Sequence, residues 1–168
     1  MARDTRNPAV SNKKVVIQLL DRTAIKGYVN PTGLAQAESL DLLTPDGEHR
    51  SIALPSVRTI YFVREFDEPY HLERKTFLSR PKINGLWVRL HFRDEDVIEG
   101  LVANDLVELL DGGIQLTPPD LHGNTIRLFI PRSAIEEMKV LGVVGIARRG
   151  PRESRPIISA AQSKLFTD

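Results

Sequence analysis

The chain repeats itself. Val15-Val-Ile-Gln-Leu-Leu-Asp21 leads to Ala24-Ile25-Lys26-Gly27, and Val88-Arg-Leu-His-Phe-Arg-Asp94 leads to Val97-Ile98-Glu99-Gly100. Both Asp residues and both Gly residues stand 73 positions apart. Leu40-Asp-Leu42 matches Ile114-Gln-Leu116 at an offset of 74, and Ile52-Ala-Leu54-Pro55 matches Leu128-Phe-Ile130-Pro131 at 76. The gaps fall between the apolar runs. Self-similarity of this kind restricts the fold to two copies of one supersecondary unit. The 168 residues are enough for one ordinary domain or two small ones.

Periodicity defines the unit. Val88, Leu90 and Phe92 alternate with Arg89, His91 and Arg93, the period of a strand with one wet face. Asp21-Arg-Thr and Asp94-Glu-Asp supply turn residues, and second strands follow at 25–29 and 98–102. Each carries a glycine in mid-strand, Gly27 or Gly100, which marks a bend or a close backbone approach. Third strands are expected at 40–43 and 114–117, and fourth strands at 52–54 and 126–130, ended by Pro55 and Pro131. Last strands cover 59–63 and 136–141. Five short strands in about 50 to 60 residues make a small barrel. The expected fold is therefore all-β, with two tandem five-stranded barrels over 15–63 and 86–147. A linker over 64–85 holds a candidate short helix opened by Pro69, with Tyr70, Phe77 and Leu78 resting on a barrel. A basic arm, 1–14, and a tail rich in Arg and Pro, 148–168, complete the chain.

These residues resemble a known family. An apolar strand, Asp, two polar residues and then Val97-Ile-Glu-Gly-Leu-Val102 is similar to the first Sm motif, and Ile130-Pro-Arg-Ser-Ala-Ile-Glu-Glu-Met138 to the second. The chain also resembles bacterial proteins that carry such units in tandem. The resemblance implies a bent five-stranded Sm-like barrel and rings built by pairing the fourth strand of one unit with the fifth of the next. The departures are specific. RNA-binding members carry Asp and Asn after the bend glycine, where this chain has Gly33 and Ala37 in one copy and Leu106 and Leu110 in the other. Arg132-Ser133 and Ser56-Val57 replace the Lys-His pair of bacterial Sm proteins. The resemblance thus implies the barrel without the uridine pocket.

Formal charge is +1, but it is unevenly spread: +3 over 1–14, −1 over 15–63, −5 over 86–147 and +3 over 148–168. A polyanion would be met by the ends, through phosphate contacts from Arg148, Arg149, Arg152 and Arg155. There is no cysteine, which excludes thiol catalysis and thiolate metal sites. His49, His71, His91 and His122 lack ligand spacing and read as solvated. Asp94-Glu95-Asp96 reads as a hairpin tip, and Gly112-Gly113 as a turn rather than a phosphate loop. No nucleophile elbow is present. No apolar run approaches the length of a membrane span, and MARDTRNPAV lacks a signal-peptide core, so a cytoplasmic protein with no membrane partner is expected.

The function expected from these features is a non-enzymatic assembly or interaction module, with no cofactor and no metal. Its expected partner is itself. Barrel strands four and five have open ladders, so Ile52, Leu54, Met138 and Val140 mark expected oligomer edges. Two other classes stay open: a nucleic-acid-binding protein using its basic ends, and a small-ligand sensor or enzyme without a recognisable motif.

Overall fold

The structure, a computed structural model, describes residues 12–145. The first repeat forms β1 (Lys13–Leu19), β2 (Ala24–Val29), β3 (Ser39–Leu43), β4 (His49–Ala53) and β5 (Val57–Val63). The second forms β6 (Gly85–Phe92), β7 (Val97–Val102), a short helix α1 (Leu106–Leu110), β8 (Gly113–Leu116), β9 (Thr125–Pro131) and β10 (Ile135–Val144). The fold is all-β. Every pairing is antiparallel, in a seven-stranded sheet ordered β4-β3-β2-β1-β5-β9-β8 and a three-stranded sheet ordered β10-β6-β7.

The repeat holds at the level of hydrogen bonding. Ile17 pairs with Ile60 in the first unit and Leu90 with Met138 in the second. Both β1–β2 and β6–β7 turns put a non-glycine residue in the left-handed region, Arg22 at φ 74° and Glu95 at φ 71°. The preceding Asp stabilises each: Asp21 Oδ1 accepts from the Thr23 amide at 2.9 Å, and Asp94 Oδ1 from the Asp96 amide at 3.2 Å. Gly27 and Gly100 occupy equivalent strand positions, with no left-handed φ. Close approach dictates them. A Cβ on Gly27 would lie 2.5 Å from Leu42 Cδ1, and one on Gly100 would overlap Leu116.

Two expectations about the units are corrected. The fourth strands align at an offset of 78, not 76, because Ile52 pairs with Leu40 where Ile130 pairs with Ile114. Pro55 therefore matches Ser133, and Leu54 matches Arg132. The linker has no helix; the one α-helix among the described residues is α1, between β7 and β8. Asp105 caps it, accepting from the Val107 amide at 2.9 Å.

The linker is an extended strap. Tyr70 packs on Tyr61 with ring centroids 5.0 Å apart, and Phe77 packs edge-on against Trp87. The Lys75 carbonyl accepts from the Glu99 amide, so the strap adds to the edge of β7. Glu99 is buried and fully engaged: it accepts from the Phe77 amide, Trp87 Nε1 and the Arg89 guanidinium. Leu78, expected on a barrel, instead points to solvent at 79% exposure.

Two apolar cores cross the repeat boundary. Phe129 of β9 lies in the first core with Ile17, Leu42 and Ile60. Val16, Tyr61 and Val63 of the first repeat lie in the second core with Val88, Leu90 and Leu116. β1 is accordingly buried on both faces, with Val15, Val16 and Ile17 all in apolar surroundings.

Candidate functional site

The junction between the repeats is built on β5. It pairs with β1 inside its own unit and with β9 of the other, setting Ile60 opposite Phe129 and Tyr61 opposite Leu128. The β1–β5 register shifts between Gln18 and Leu19, which face Thr59 and Val57 and leave Arg58 unpaired. A bulge turns its extra residue out of the strict alternation. Arg58 is thereby aimed at the second repeat and is only 4% exposed.

Its guanidinium is fully used. Nε donates to Asp94 Oδ2 at 2.6 Å, Nη2 to Asp96 Oδ2 at 2.9 Å and Nη1 to Gln18 Oε1 at 3.3 Å, while the plane lies 4.0 Å from the Phe92 ring centroid. Arg22 also reaches Asp94, and Lys75 of the linker reaches Asp96 at 2.8 Å. The Asp94 carboxyl is held below the usual carboxylate range chiefly by the hydrogen bond from Arg58. For Asp96, burial works upward, but the Lys75 hydrogen bond and charge bring it down on balance. Burial lowers the Arg58 value, yet the hydrogen bond to Asp94 and the charges around it raise it overall. Burial also pushes the Tyr61 hydroxyl up.

The remaining edges are the candidate site. The outer sides of β7 and β8 meet each other through the Leu101–Thr117 bridge. No described strand pairs with the outer side of β4 or of β10. Ile52 is on the β4 edge with its side chain in the core. Leu54 is not on the edge: it begins a 3₁₀ turn over Leu54–Ser56 that contains Pro55, and its amide is taken by the Glu38 carbonyl. Met138 and Val140 both lie on β10; Met138 packs on the second core and Val140 is 53% exposed. The strap meets this edge near its end, where Arg80 donates to the Val143 carbonyl at 2.8 Å.

The expected phosphate contacts Arg148, Arg149, Arg152 and Arg155 lie outside the described residues. Arg132, which stands where the resemblance expects Lys, plays a structural part instead. It donates to the Leu109 and Asp111 carbonyls and anchors the end of α1. His71 stacks beside Tyr70 at 4.1 Å and shares a cavity of about 280 Å³ with His122, Glu73 and Asp120. No group of three or more His, Asp or Glu side chains among the described residues is arranged to hold a metal ion. Among those residues no helix is long and apolar enough to cross a membrane. Sequence reasoning missed Arg58 and Glu99. Glu99 reads as one more polar residue in a strand, and Arg58 falls just before the last strand expected at 59–63, with nothing in residue type to separate it from a solvated arginine.

Fold and junction define a class: an all-β protein of two five-stranded repeats, joined edge to edge and open at the two edges left over. The chain belongs to a family of unknown function, DUF6982, whose model matches residues 11–142. No curated protein and no solved structure matches it.

Proposed function

We propose that the protein is a non-enzymatic, Sm-like assembly module that forms homo-oligomers by pairing β4 of one molecule with β10 of the next. One observation carries this reading. By the repeat's own equivalences β4 corresponds to β9 and β10 to β5, and β5 pairs with β9 inside the chain. The two open edges are thus the same kinds of strand as the two that are already joined. Unpaired edges left on a folded protein are ready templates for a further strand.

The contacts around the internal pair support the same reading. There the β2–β3 loop of the first repeat gives its Ala35 carbonyl to the Gly112 amide. The equivalent loop of the second repeat is α1, whose Leu106, Val107 and Leu110 are 70%, 70% and 73% exposed. Between molecules, α1 would rest against the segment before β3 of the neighbour, near Leu34 and Ala37. The ionic part of the internal junction has no counterpart there. Glu136 takes the place of Arg58 in the equivalent bulge, and Asp21 takes the place of Asp94. The outer contact therefore lacks the ion pairs of the internal junction and sets Glu136 towards Asp21, which makes it the weaker of the two.

The loop positions that bind uridine in Sm proteins are here Gly33, Ala37, Leu106 and Leu110, so the reading includes no uridine pocket. Nucleic acid held by the basic ends is the second reading, favoured by the +3 charge of 148–168. One measurement tests both. Molar mass by light scattering, with the 260/280 absorbance ratio of the purified protein, is compared between wild type and Val140→Pro. Proline removes a ladder donor. Assembly that is concentration-dependent, free of nucleic acid and reduced in the variant is expected. A wild type that stays monomeric at high micromolar concentration would overturn the assembly reading.

A further inference from the structure

A second surface meets the strand edges only through Arg80, which also reaches the Val143 carbonyl of β10. The strap and the β8–β9 loop enclose a groove of about 270 Å³. Its walls are aliphatic: Leu78, Ile83 and Leu121 are all exposed, at 79%, 44% and 45%, and prolines at 118 and 119 stiffen one side. Its charged lining is entirely cationic, from Arg74, Arg80 and Lys82. Asp120, between Pro119 and Leu121 in sequence, lines the neighbouring cavity instead. Arg74 and Lys82 form no ion pair or hydrogen bond with any described residue, whereas Arg58, Arg22, Lys75 and Arg89 are all matched to carboxylates. On a molecule whose repeats sum to net negative charge, this concentration of unmatched cations around apolar walls stands out physically. The last described residue, Gly145, packs against Asn84, next to Ile83 of the groove.

We propose that this groove binds an acidic peptide segment bearing apolar side chains. Aliphatic and proline walls accept a Leu, Ile or Phe side chain, and the cations on the rim meet the flanking carboxylates. Single-stranded nucleic acid fits less well. Base binding relies on aromatic faces, and the Phe77 ring is spent edge-on against Trp87, at 6.1 Å between centroids.

The test is fluorescence polarisation with the full chain. The probe is a labelled dodecapeptide alternating Asp or Glu with Leu or Phe; the controls are the same peptide with Ser at every apolar position and an oligothymidylate of equal length. The apolar acidic peptide should bind. Arg74→Glu with Lys82→Glu should weaken it about tenfold or more, and Leu78→Ser with Leu121→Ser should weaken it while leaving the salt dependence in place. These side chains are exposed, so circular dichroism should report an unchanged fold. Arg127→Glu, a remote surface cation, should have no effect. Equal binding of the Ser peptide, indifference of the groove variants, or an oligothymidylate that binds more tightly and is lost in the same variants would each overturn the proposal. Molecular mass is unaffected by these changes, so failure here is distinct from failure of the assembly reading.

Discussion

Arg58 and Asp94 join the two repeats through a 2.6 Å hydrogen bond from Nε to Oδ2. The arginine comes from a bulge at the start of β5 and the aspartate from the β6–β7 turn, 36 residues later. The same Asp94 side chain that builds its own turn thus also fixes the first repeat to the second. That double use makes the junction sensitive to single substitutions.

Arg58→Met should destabilise the fold by about 2–3 kcal/mol. Removing one partner of a buried pair costs about 3–5 kcal/mol, and the figure is reduced here because Asp94 and Asp96 are partly exposed and keep Arg22 and Lys75. Lysine should recover only part of the loss, since it cannot span both carboxylates. Urea denaturation measures both. A Met variant as stable as wild type would remove the ion pairs from any structural account.

Stability should fall in acid through these same carboxyls. Asp94 and Asp96 titrate lower in the folded chain than in the unfolded one. Their contribution is fully present above the unfolded value, about 3.9, and is lost as pH drops through the folded values. The double variant Asp94→Asn, Asp96→Asn should be less stable at neutral pH and show a flatter decline between about pH 5 and pH 2. Parallel curves for the two proteins would refute this.

The repeats should unfold together. Phe129 belongs to the second repeat by sequence and to the first core by packing. Phe129→Ala should cost about 3–5 kcal/mol and move a single transition. Calorimetry with two resolved transitions, only one of them shifted, would show instead that the units melt independently.

The outer edge should respond to charge. Glu136 occupies the position of Arg58, and Asp21 that of Asp94. Glu136→Arg would recreate between molecules the pairing that exists within one, so assembly should begin at lower protein concentration. Sedimentation velocity across a dilution series reads this. An unchanged or weakened association would mean that β10 does not meet β4 in the arrangement of the internal pair.

Much of this architecture is written locally. The alternation in 88–93, the Asp-led turns at 21 and 94 and the glycines at 27 and 100 each reflect a constraint acting within a few residues or across one strand pair. Such constraints leave their trace in residue type. The fourth strands differ by two from their sequence alignment because a slip of two preserves which side chains face the core. The apolar pattern is the same in either register, and only the ladder from Ile52 to Leu40 and Ile130 to Ile114 separates them. The absence of a linker helix has a related reason. Pro69 offers a start signal, but Tyr70, Lys75 and Phe77 gain more by extending along the barrels.

By itself the sequence determined that there are two copies of one five-stranded unit, where they bend and turn, and which faces are apolar. Tertiary structure alone decided how the copies meet. Whether β5 pairs with β9 or stays open depends on surfaces far apart along the chain, such as those of Ile60 and Phe129, and no periodicity encodes such a match. The same holds for Arg58, whose polar side chain is buried only because a bulge turns it toward two aspartates of the other repeat. The cost of desolvating a charge is offset only where its partners converge, and that convergence is a property of the assembled fold.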